Sequence, residues 1–396
     1  EKEIYYEVGE KLADRLREYN NIIKEGDRED EEMDKIKEKR DKCYSLKNLL
    51  QKSAKITAVM RVARVLFADN SFMKKLDTNP DLVCFKNGIY DLRTDEFRSG
   101  KADDYISICT NTDYKEFSWK EPAPILNELI KLINRVFVNP NEREYYLKFI
   151  ASCWRGQNIN KIFVAMLGQP NTSKSTMNKL VQKCFGEYCI SISSTTFTSK
   201  KPNGSQATPD WYRLKSCRLG TTQEPSADEE INIGTFKELT GNDRFTARPM
   251  YGSPEDIDPQ VKFYIMTNKV PAIPSNDPGS FVRLRVLIWG SIFVDDPPET
   301  EEEQFAQRRF PKILNLDSKL DEFVQPFTWL LLQKFREYRM NNYIIYEPPE
   351  VTRSTDEFRE QNDITSRFER EHIIKTNTDE DIISLTEINT IFRRWY

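Results

Sequence analysis

The chain has 396 residues, enough for two or three domains, and its 31% charged and 38% hydrophobic residues describe globular rather than disordered or collagenous material. A formal net charge of −4 excludes a generally basic protein that coats nucleic acid. It leaves room for a ring or channel that grips nucleic acid through a few well-placed cations.

Seven cysteines (43, 84, 109, 153, 184, 189, 217) occur without any C-x-x-C pair, which argues against a disulfide framework or a zinc ribbon and for buried thiols in a reducing compartment. With His372 as the single histidine, Ser-His-Asp triads and His-rich metal sites drop out unless that residue itself serves. No signal peptide or apolar run of membrane-spanning length is present, so no membrane partner is expected. A chain that opens on Glu1 and stops at Tyr396 inside a helical pattern reads as a piece of a longer protein.

In chain order, residues 4–53 have a helical pattern that includes the mixed-charge run KEGDREDEEMDKIKEKRDK (24–42), expected as a solvated helix face. Ile56, Val59, Met60, Ala63, Leu66 and Phe67 recur at helical spacing up to Asp69-Asn70. LVCFKNGIYDLRTDEFRSG (82–100) reads as strand, Asn-Gly turn, strand, turn. Helices follow at 125–138 and 142–155, parted by Asn139-Pro140. KIFVAML (161–167) is a short apolar run whose length and β-branched content favour a buried strand, and TMNKLVQKCF (176–185) places Met177, Leu180, Val181 and Phe185 on one helix face. Further strands are expected at 217–222, 262–267 and 286–289, an alternation that predicts an α/β core with a largely parallel sheet. After the acidic linker 299–303 come helices near 317–341, 355–371 and 385–396.

Between the strand 161–167 and its helix lies GQPNTSKST (168–176), which matches the phosphate-loop pattern G-x-x-x-x-G-K-[ST] except that Ser173 stands at the second glycine. Such a loop aims successive backbone N–H groups and a helix N-terminus at phosphate oxygens. Lys174 would neutralise the β- and γ-phosphates, and the Ser175 hydroxyl would hold Mg²⁺. Serine in place of glycine costs on the order of 1–3 kcal/mol where φ must be positive, which a folded protein survives.

Nucleotide hydrolysis also asks for a carboxylate near Mg²⁺. Glu224, in RLGTTQEPS (218–226), follows a strand and suits that role as well as it suits a plain loop glutamate. Asn268 closes another strand and suits contact with the γ-phosphate or the attacking water. Arg283 and Arg285, two apart in SFVRLRVLIW (280–289), are candidates for charge stabilisation across a subunit interface, or for surface salt bridges.

In this order the pieces resemble the superfamily 3 helicase module of the primase-helicases of large DNA viruses, phages and plasmids. NTSKST (171–176) resembles the family's NTGKST; TFKELTGNDRFTARPMYG (235–252) is similar to its B′ motif and hairpin, TNKVPAIPSND (267–277) to its sensor motif, with Pro271 also matching, and FVRLRV (281–286) to its arginine-finger segment, with Val282 where one arginine is usual. FKNGIYDLRTDEF (85–97), FTWLLLQKF (327–335) and YEPPEVTRSTDEFREQND (346–363) extend the likeness from about residue 70 to the end.

The resemblance implies an α/β, AAA+-like P-loop ATPase core (111–296), an N-terminal helical collar with a short β segment (1–110) and a mainly helical, winged-helix-like C-terminal region (297–396). It implies a homo-hexameric ATP-driven DNA helicase acting at a viral replication site in host cytoplasm or nucleus, with a primase domain elsewhere in the full-length chain. ATP and Mg²⁺ would be held by Gly168, Asn171, Thr172, Ser173, Lys174, Ser175 and Thr176 with Glu224, Asn268 as sensor, and Arg283 (or Arg285) as finger. A hairpin at roughly 243–262 would put Lys237, Arg244, Arg248 and Tyr251 near single-stranded or forked DNA. Competing expectations are a nucleic-acid-binding ring whose loop has decayed at Ser173, and a small-molecule kinase.

Overall fold

A computed structural model describes residues 7–395 apart from 27–28, 51, 70, 201–206, 223–229, 270–272, 274–277, 314–315, 363, 375, 377 and 379–381. The chain forms two compact units, Glu1–Lys75 and Leu76–Tyr396.

The first unit is helical: α1 (Gly9–Glu25), α2 (Asp30–Leu50), α3 (Ser53–Leu66) and the single turn α4 (Phe72–Lys75). The long helical pattern breaks at Gly26, whose φ of 69° supplies the left-handed cap that ends α1. Asp30, Glu31 and Glu32 crowd the first turn of α2, where the helix dipole favours them. Pairs four residues apart, Lys35–Glu31 at 3.1 Å and Lys42–Glu38 at 2.6 Å, line its solvated side. Only Leu16, Cys43 and Ile56 are buried hydrophobics among the unit's described residues.

The second unit opens on an antiparallel meander of β1 (Leu82–Phe85), β2 (Gly88–Asp91) and β3 (Glu96–Arg98). Its first turn is Lys86-Asn87, one residue earlier than the Asn-Gly signal suggested. Gly88 is drawn into β2 because β3 comes so close that a Cβ there would stand 2.6 Å from the Arg98 carbonyl. Helices α5 (Pro124–Val136) and α6 (Pro140–Ser152) follow; the Asn139 side chain caps α6 by accepting from the Asn141 N–H at 2.8 Å, with proline at the first helical position.

The centre is a five-stranded parallel sheet, built from β4 (Phe163–Leu167), β5 (Cys189–Ile192), β6 (Leu219–Thr222), β9 (Lys262–Thr267) and β10 (Leu284–Ile288) in the order β10-β4-β9-β6-β5. A hairpin of β7 (Phe245–Ala247) and β8 (Glu255–Ile257) stands before β9, and β11 (Ile292–Val294) pairs in parallel with β12 (Arg309–Pro311). β4 is buried on both faces. Val164 and Met166 join a core with α6, α7 (Lys174–Phe185) and the long helix Leu316–Met340, while Phe163 and Ala165 join a second core with Phe197, Trp211, Phe236 and Phe358.

Two cations brace the edge of the sheet where its strands begin. Lys262, fully buried, donates to the carbonyls of Ser152 (2.7 Å), Arg155 (3.2 Å) and Gln157 (2.6 Å), answering acceptors that α6 leaves open at its end. Burial draws its pKa down to about 8. Arg218 donates to the carbonyls of Trp154, Asn79 (3.2 Å) and Leu82 (2.6 Å) and lies over the ring of Tyr188.

The architecture is α/β with a parallel sheet, as expected, but its divisions differ from the expected ones. The meander belongs with the sheet unit and not with the N-terminal helices, so the break falls at 75/76 instead of 110. The region 297–396 is mainly helical, yet the helix Leu316–Met340 packs against α5, α6 and α7 inside the main core. Among the described residues, β12 is the one strand of that region and it pairs with β11, so no β-hairpin of a winged helix is formed there.

Candidate functional site

The carboxyl end of β4 is the point where the sheet changes direction. From β4 the chain crosses to β5 at the far edge, works back through β6 to β9 beside β4, and then places β10 on the other side. Crevices outside the strand ends at such a point are the general ligand site of open α/β sheets.

The loop 168–173 fills this crevice between β4 and α7. The Gly168 N–H donates to the Thr267 carbonyl at 3.3 Å, and a Cβ on Gly168 would stand 2.8 Å from both Cβ and the carbonyl oxygen of Trp289, so the position requires glycine. Asn171 and Ser173 both have left-handed backbones, with φ of 62° and 63°. Ser173 therefore adopts the conformation that a glycine would take more cheaply, at a cost on the order of 1–3 kcal/mol. Tertiary contacts hold it there. The Thr172 hydroxyl, buried, donates to the Gln169 carbonyl at 2.8 Å, and the Phe293 N–H of β11 donates to the Asn171 carbonyl at 2.9 Å.

Lys174 opens α7, and its ammonium turns back over the loop. It donates to the carbonyls of Gly168 and Gln169 (2.9 Å), to the Thr172 hydroxyl (3.2 Å) and to the Asn268 side-chain oxygen (3.3 Å) at the end of β9. Ser175 and Thr176 lie beside it in the first turn of α7. Together they line a cavity of about 620 Å³ whose far wall is Phe293, Lys312 and Ile313, with Thr222 and Met266 from the neighbouring strands. The structure thus brings together Asn171, Thr172, Ser173, Lys174, Ser175, Thr176 and Asn268, with Gly168 at the root of the loop. The chemistry on offer is a set of helix N-terminal amides, one ammonium, and hydroxyl and amide groups around a space of nucleotide size.

Other candidates lie elsewhere. Glu224 and Pro271 fall outside the described residues; Glu224 follows β6, which is separated from β4 by β9. Arg283 precedes β10, at the opposite edge of the sheet. Leu284 sits beside Phe163 and Ile288 beside Leu167, so roughly 16 Å of strand separates Arg283 from the loop at about 3.3 Å per residue. Its guanidinium donates to the Lys237 carbonyl (2.6 Å) and the Thr240 hydroxyl (3.0 Å). Arg285 is paired with Glu347 at 2.6 Å. Neither arginine reaches the cavity of its own chain.

The hairpin expected near 243–262 is present with the register Phe245↔Ile257 and Ala247↔Glu255. Tyr251 stands at its tip with a φ of 62° and its side chain wholly exposed; Met250 beside it is also exposed. The Arg248 guanidinium donates to the Gly252 carbonyl at 2.9 Å and shapes the tip, whereas Arg244 makes a two-pronged pair with Asp258 at 2.7 and 2.8 Å. Lys237 lies apart, on the helix Ile233–Thr240.

The family described as D5 N terminal like matches residues 3–163, and a family of unknown function, DUF5906, matches residues 166–283. "Putative helicase L207/L206" of Acanthamoeba polyphaga mimivirus is 31% identical over 331 residues, 83% of this chain and 34% of that protein. "Putative helicase 121R" of Invertebrate iridescent virus 3 is 27% identical over 88% of this chain and 38% of its own length. "Putative primase C962R" of African swine fever virus (isolate Tick/Malawi/Lil 20-1/1983) is 24% identical over 85% of this chain and 35% of its own length. The chain therefore spans about a third of the curated relatives it matches. Among solved structures, the A form apo structure of the NrS-1 C terminal region is similar over 75% of this chain and 74% of that one at 11% identity and a TM-score of 0.42, too distant to carry an argument. On its D5 N-terminal-like region and these relatives, the chain belongs to the viral primase-helicase family.

Proposed function

We propose that this chain is an ATP-driven DNA helicase module of superfamily 3 type, an AAA+-like P-loop ATPase that works as a homo-hexameric ring on single-stranded or forked DNA. The observation that carries the reading is the left-handed Ser173 in a loop whose lysine already meets Asn268 across two strands. Backbone amides from Asn171 to Thr176 would hold the phosphates at the N-terminus of α7. Lys174 would exchange the carbonyls of Gly168 and Gln169 for β- and γ-phosphate oxygens, which are stronger acceptors for an ammonium. Asn268 would then sit at the γ-phosphate. Mg²⁺ would supply charge neutralisation on the phosphates, and the Ser175 hydroxyl at the cavity, with Glu224, would hold it. Glu224 would orient the attacking water.

Arg283 suits a site shared between subunits, since about 16 Å of strand keeps it from its own cavity; it would act in trans, with Arg285, nearer the loop but paired with Glu347, second to it. The exposed Tyr251, with Arg244, Arg248 and Lys237 nearby in sequence, suits a backbone-tracking grip on a single strand. A primase domain in the longer protein fits the roughly threefold length of the relatives, and the site of action would be that of viral replication, in host cytoplasm or nucleus. Among the described residues no helix is long and apolar enough to cross a membrane.

The test is ATP binding by calorimetry and turnover with and without single-stranded DNA, for the chain and for Lys174→Ala. The reading expects DNA-stimulated turnover that the substitution lowers on the order of 10²–10³-fold while assembly persists. Undiminished turnover in Lys174→Ala, or no heat of ATP binding to the unaltered chain, removes it and leaves the non-hydrolysing ring.

A further inference from the structure

Helix α7 buries Met177, Leu180, Val181 and Cys184 completely, yet beside them it carries two amides one turn apart, Asn178 and Gln182. Gln182 is accounted for: its Nε2 donates to the Thr221 hydroxyl of β6 at 3.1 Å. Asn178 is accounted for on one side only.

Its Oδ1 accepts from the Tyr264 hydroxyl at 2.6 Å. Tyr264 stands in the middle of the sheet, on β9 between Val164 of β4 and Thr221 of β6, and is 1% exposed. A buried hydroxyl needs an acceptor, and among the described residues the Asn178 amide is the one partner this hydroxyl has. Burial also holds the phenol well above its ordinary pKa of 10, so the group stays a donor. The amide is thereby oriented, with Oδ1 toward Tyr264 and the NH₂ group turned away from it.

That NH₂ group has no partner among the described residues, and it is not sealed from solvent. Asn178 lines the cavity around Lys174, together with Ser175 and Thr222. It lies three residues after Ser175 and four after Lys174, on the same face of the helix. One turn, about 6 Å, separates it from Lys174, a gap that a bound water spans.

We propose that Asn178 is a further nucleotide-binding residue of this cavity, its NH₂ group donating to the phosphate chain directly or through one bound water, and that Tyr264 is the positioning residue that aims it. The inference rests on the reading of this cavity as an ATP site. The surroundings select an anion: the group facing the cavity can only donate, and the described lining holds Lys174 and Lys312 but no carboxylate.

The discriminating variant is Asn178→Asp. A carboxylate accepts from the Tyr264 hydroxyl as well as an amide oxygen does, so an Asn178 that serves only the fold tolerates the change. Facing phosphate, the same change replaces a donor with a negative charge. ATP binding to the full chain is followed by calorimetry, in EDTA and again with Mg²⁺, and each variant's unfolding midpoint is measured. Asn178→Ala should weaken binding about tenfold, and Asn178→Asp should weaken it further in EDTA. Tyr264→Phe frees the amide to turn and should weaken binding about threefold. It keeps the ring in the core, so its loss of affinity, or the absence of that loss, decides the matter if Asn178→Asp does not fold. Parental affinity in Asn178→Asp at a matching midpoint overturns the proposal and leaves the ATP site standing. Failure of the unaltered chain to bind ATP removes both. Tighter Mg²⁺-dependent binding in Asn178→Asp also overturns it, because the residue would then face the metal and not the phosphates.

Discussion

The Lys174 ammonium lies 3.3 Å from the side-chain oxygen of Asn268, so a side-chain contact joins the loop after β4 to the end of the adjacent strand β9, beside the backbone bond from Gly168 to Thr267. If the two residues act on the same phosphate, their effects on ATP turnover are not independent. Lys174→Ala should reduce turnover on the order of 10²–10³-fold, as losing a transition-state donor does. Asn268→Ala should cost less, and the double variant should fall short of the product of the two. Steady-state hydrolysis by the four proteins measures the coupling; multiplicative losses would show that the residues work apart.

Ser173 makes a prediction about stability. Its φ of 63° is one that glycine adopts without strain and a β-branched residue resists. Ser173→Gly should leave the fold intact and raise unfolding free energy by no more than about 1 kcal/mol, since lost strain is partly offset by unfolded-state entropy. Ser173→Val should lower it by about 1–3 kcal/mol. Denaturant unfolding of the three proteins settles the order. The same series, assayed for ATP affinity, gauges what the hydroxymethyl group does to the loop.

Alkaline pH should destabilise the fold well before it chemically damages the chain. Burial pushes the Cys153 and Cys184 thiols up to about 12 and Cys217 to about 11, whereas in the unfolded chain thiols ionise near 9. Their folded values are raised, so this stability is complete below about pH 9 and is lost as pH climbs toward 12. Lys262 works the other way. Its folded value of about 8 lies below the ordinary lysine value of 10.5, so it adds stability as pH rises between them. Three thiols outweigh one amine, so the net slope is downward, with roughly 1 kcal/mol lost per thiol at pH 10. Unfolding free energies from pH 7 to 10.5 should fall above 9 and fall less steeply in Cys184→Ala.

The hairpin tip should separate binding from folding. Tyr251 is wholly exposed, so Tyr251→Ala should shift the unfolding midpoint very little. In the proposed DNA path it should weaken single-strand binding by about 1–3 kcal/mol, the range for loss of one stacked base. Anisotropy titration with a labelled oligonucleotide reads this directly. An unchanged affinity would take the tip off the path.

The fold was legible where a strand is continuous and buried on both faces. KIFVAML and KFYIMT announced β4 and β9, and the motif between β4 and α7 carried its own spacing. β5 escaped notice because it is a four-residue edge strand, with Ser191 exposed and Cys189 only partly covered. The cavity's far wall was invisible for a different reason. Phe293 lies in a small parallel β pair and Lys312 and Ile313 directly follow it, more than a hundred residues beyond the loop, and nothing local in their sequence marks them. The collar boundary moved because the meander is tied to the far end of the chain: Arg339 donates to the Leu92 carbonyl at 2.7 Å and pairs with Asp95. A contact spanning some 240 residues leaves no trace in a local pattern.

The helix Leu316–Met340 decides how this molecule can be cut. Phe327, Leu331 and Phe335 are at most 1% exposed and cover the flanks of α6 and α7. A recombinant fragment ending at 296, where the sequence suggests a tidy linker, would shed that cover and present a broad apolar surface to water, inviting precipitation on expression. Trimming from the amino end at the 75/76 junction removes only the helical unit, so the workable minimal piece begins there and must run past Met340 through the helix Pro349–Asn362, whose Val351 and Phe358 are buried in the two cores.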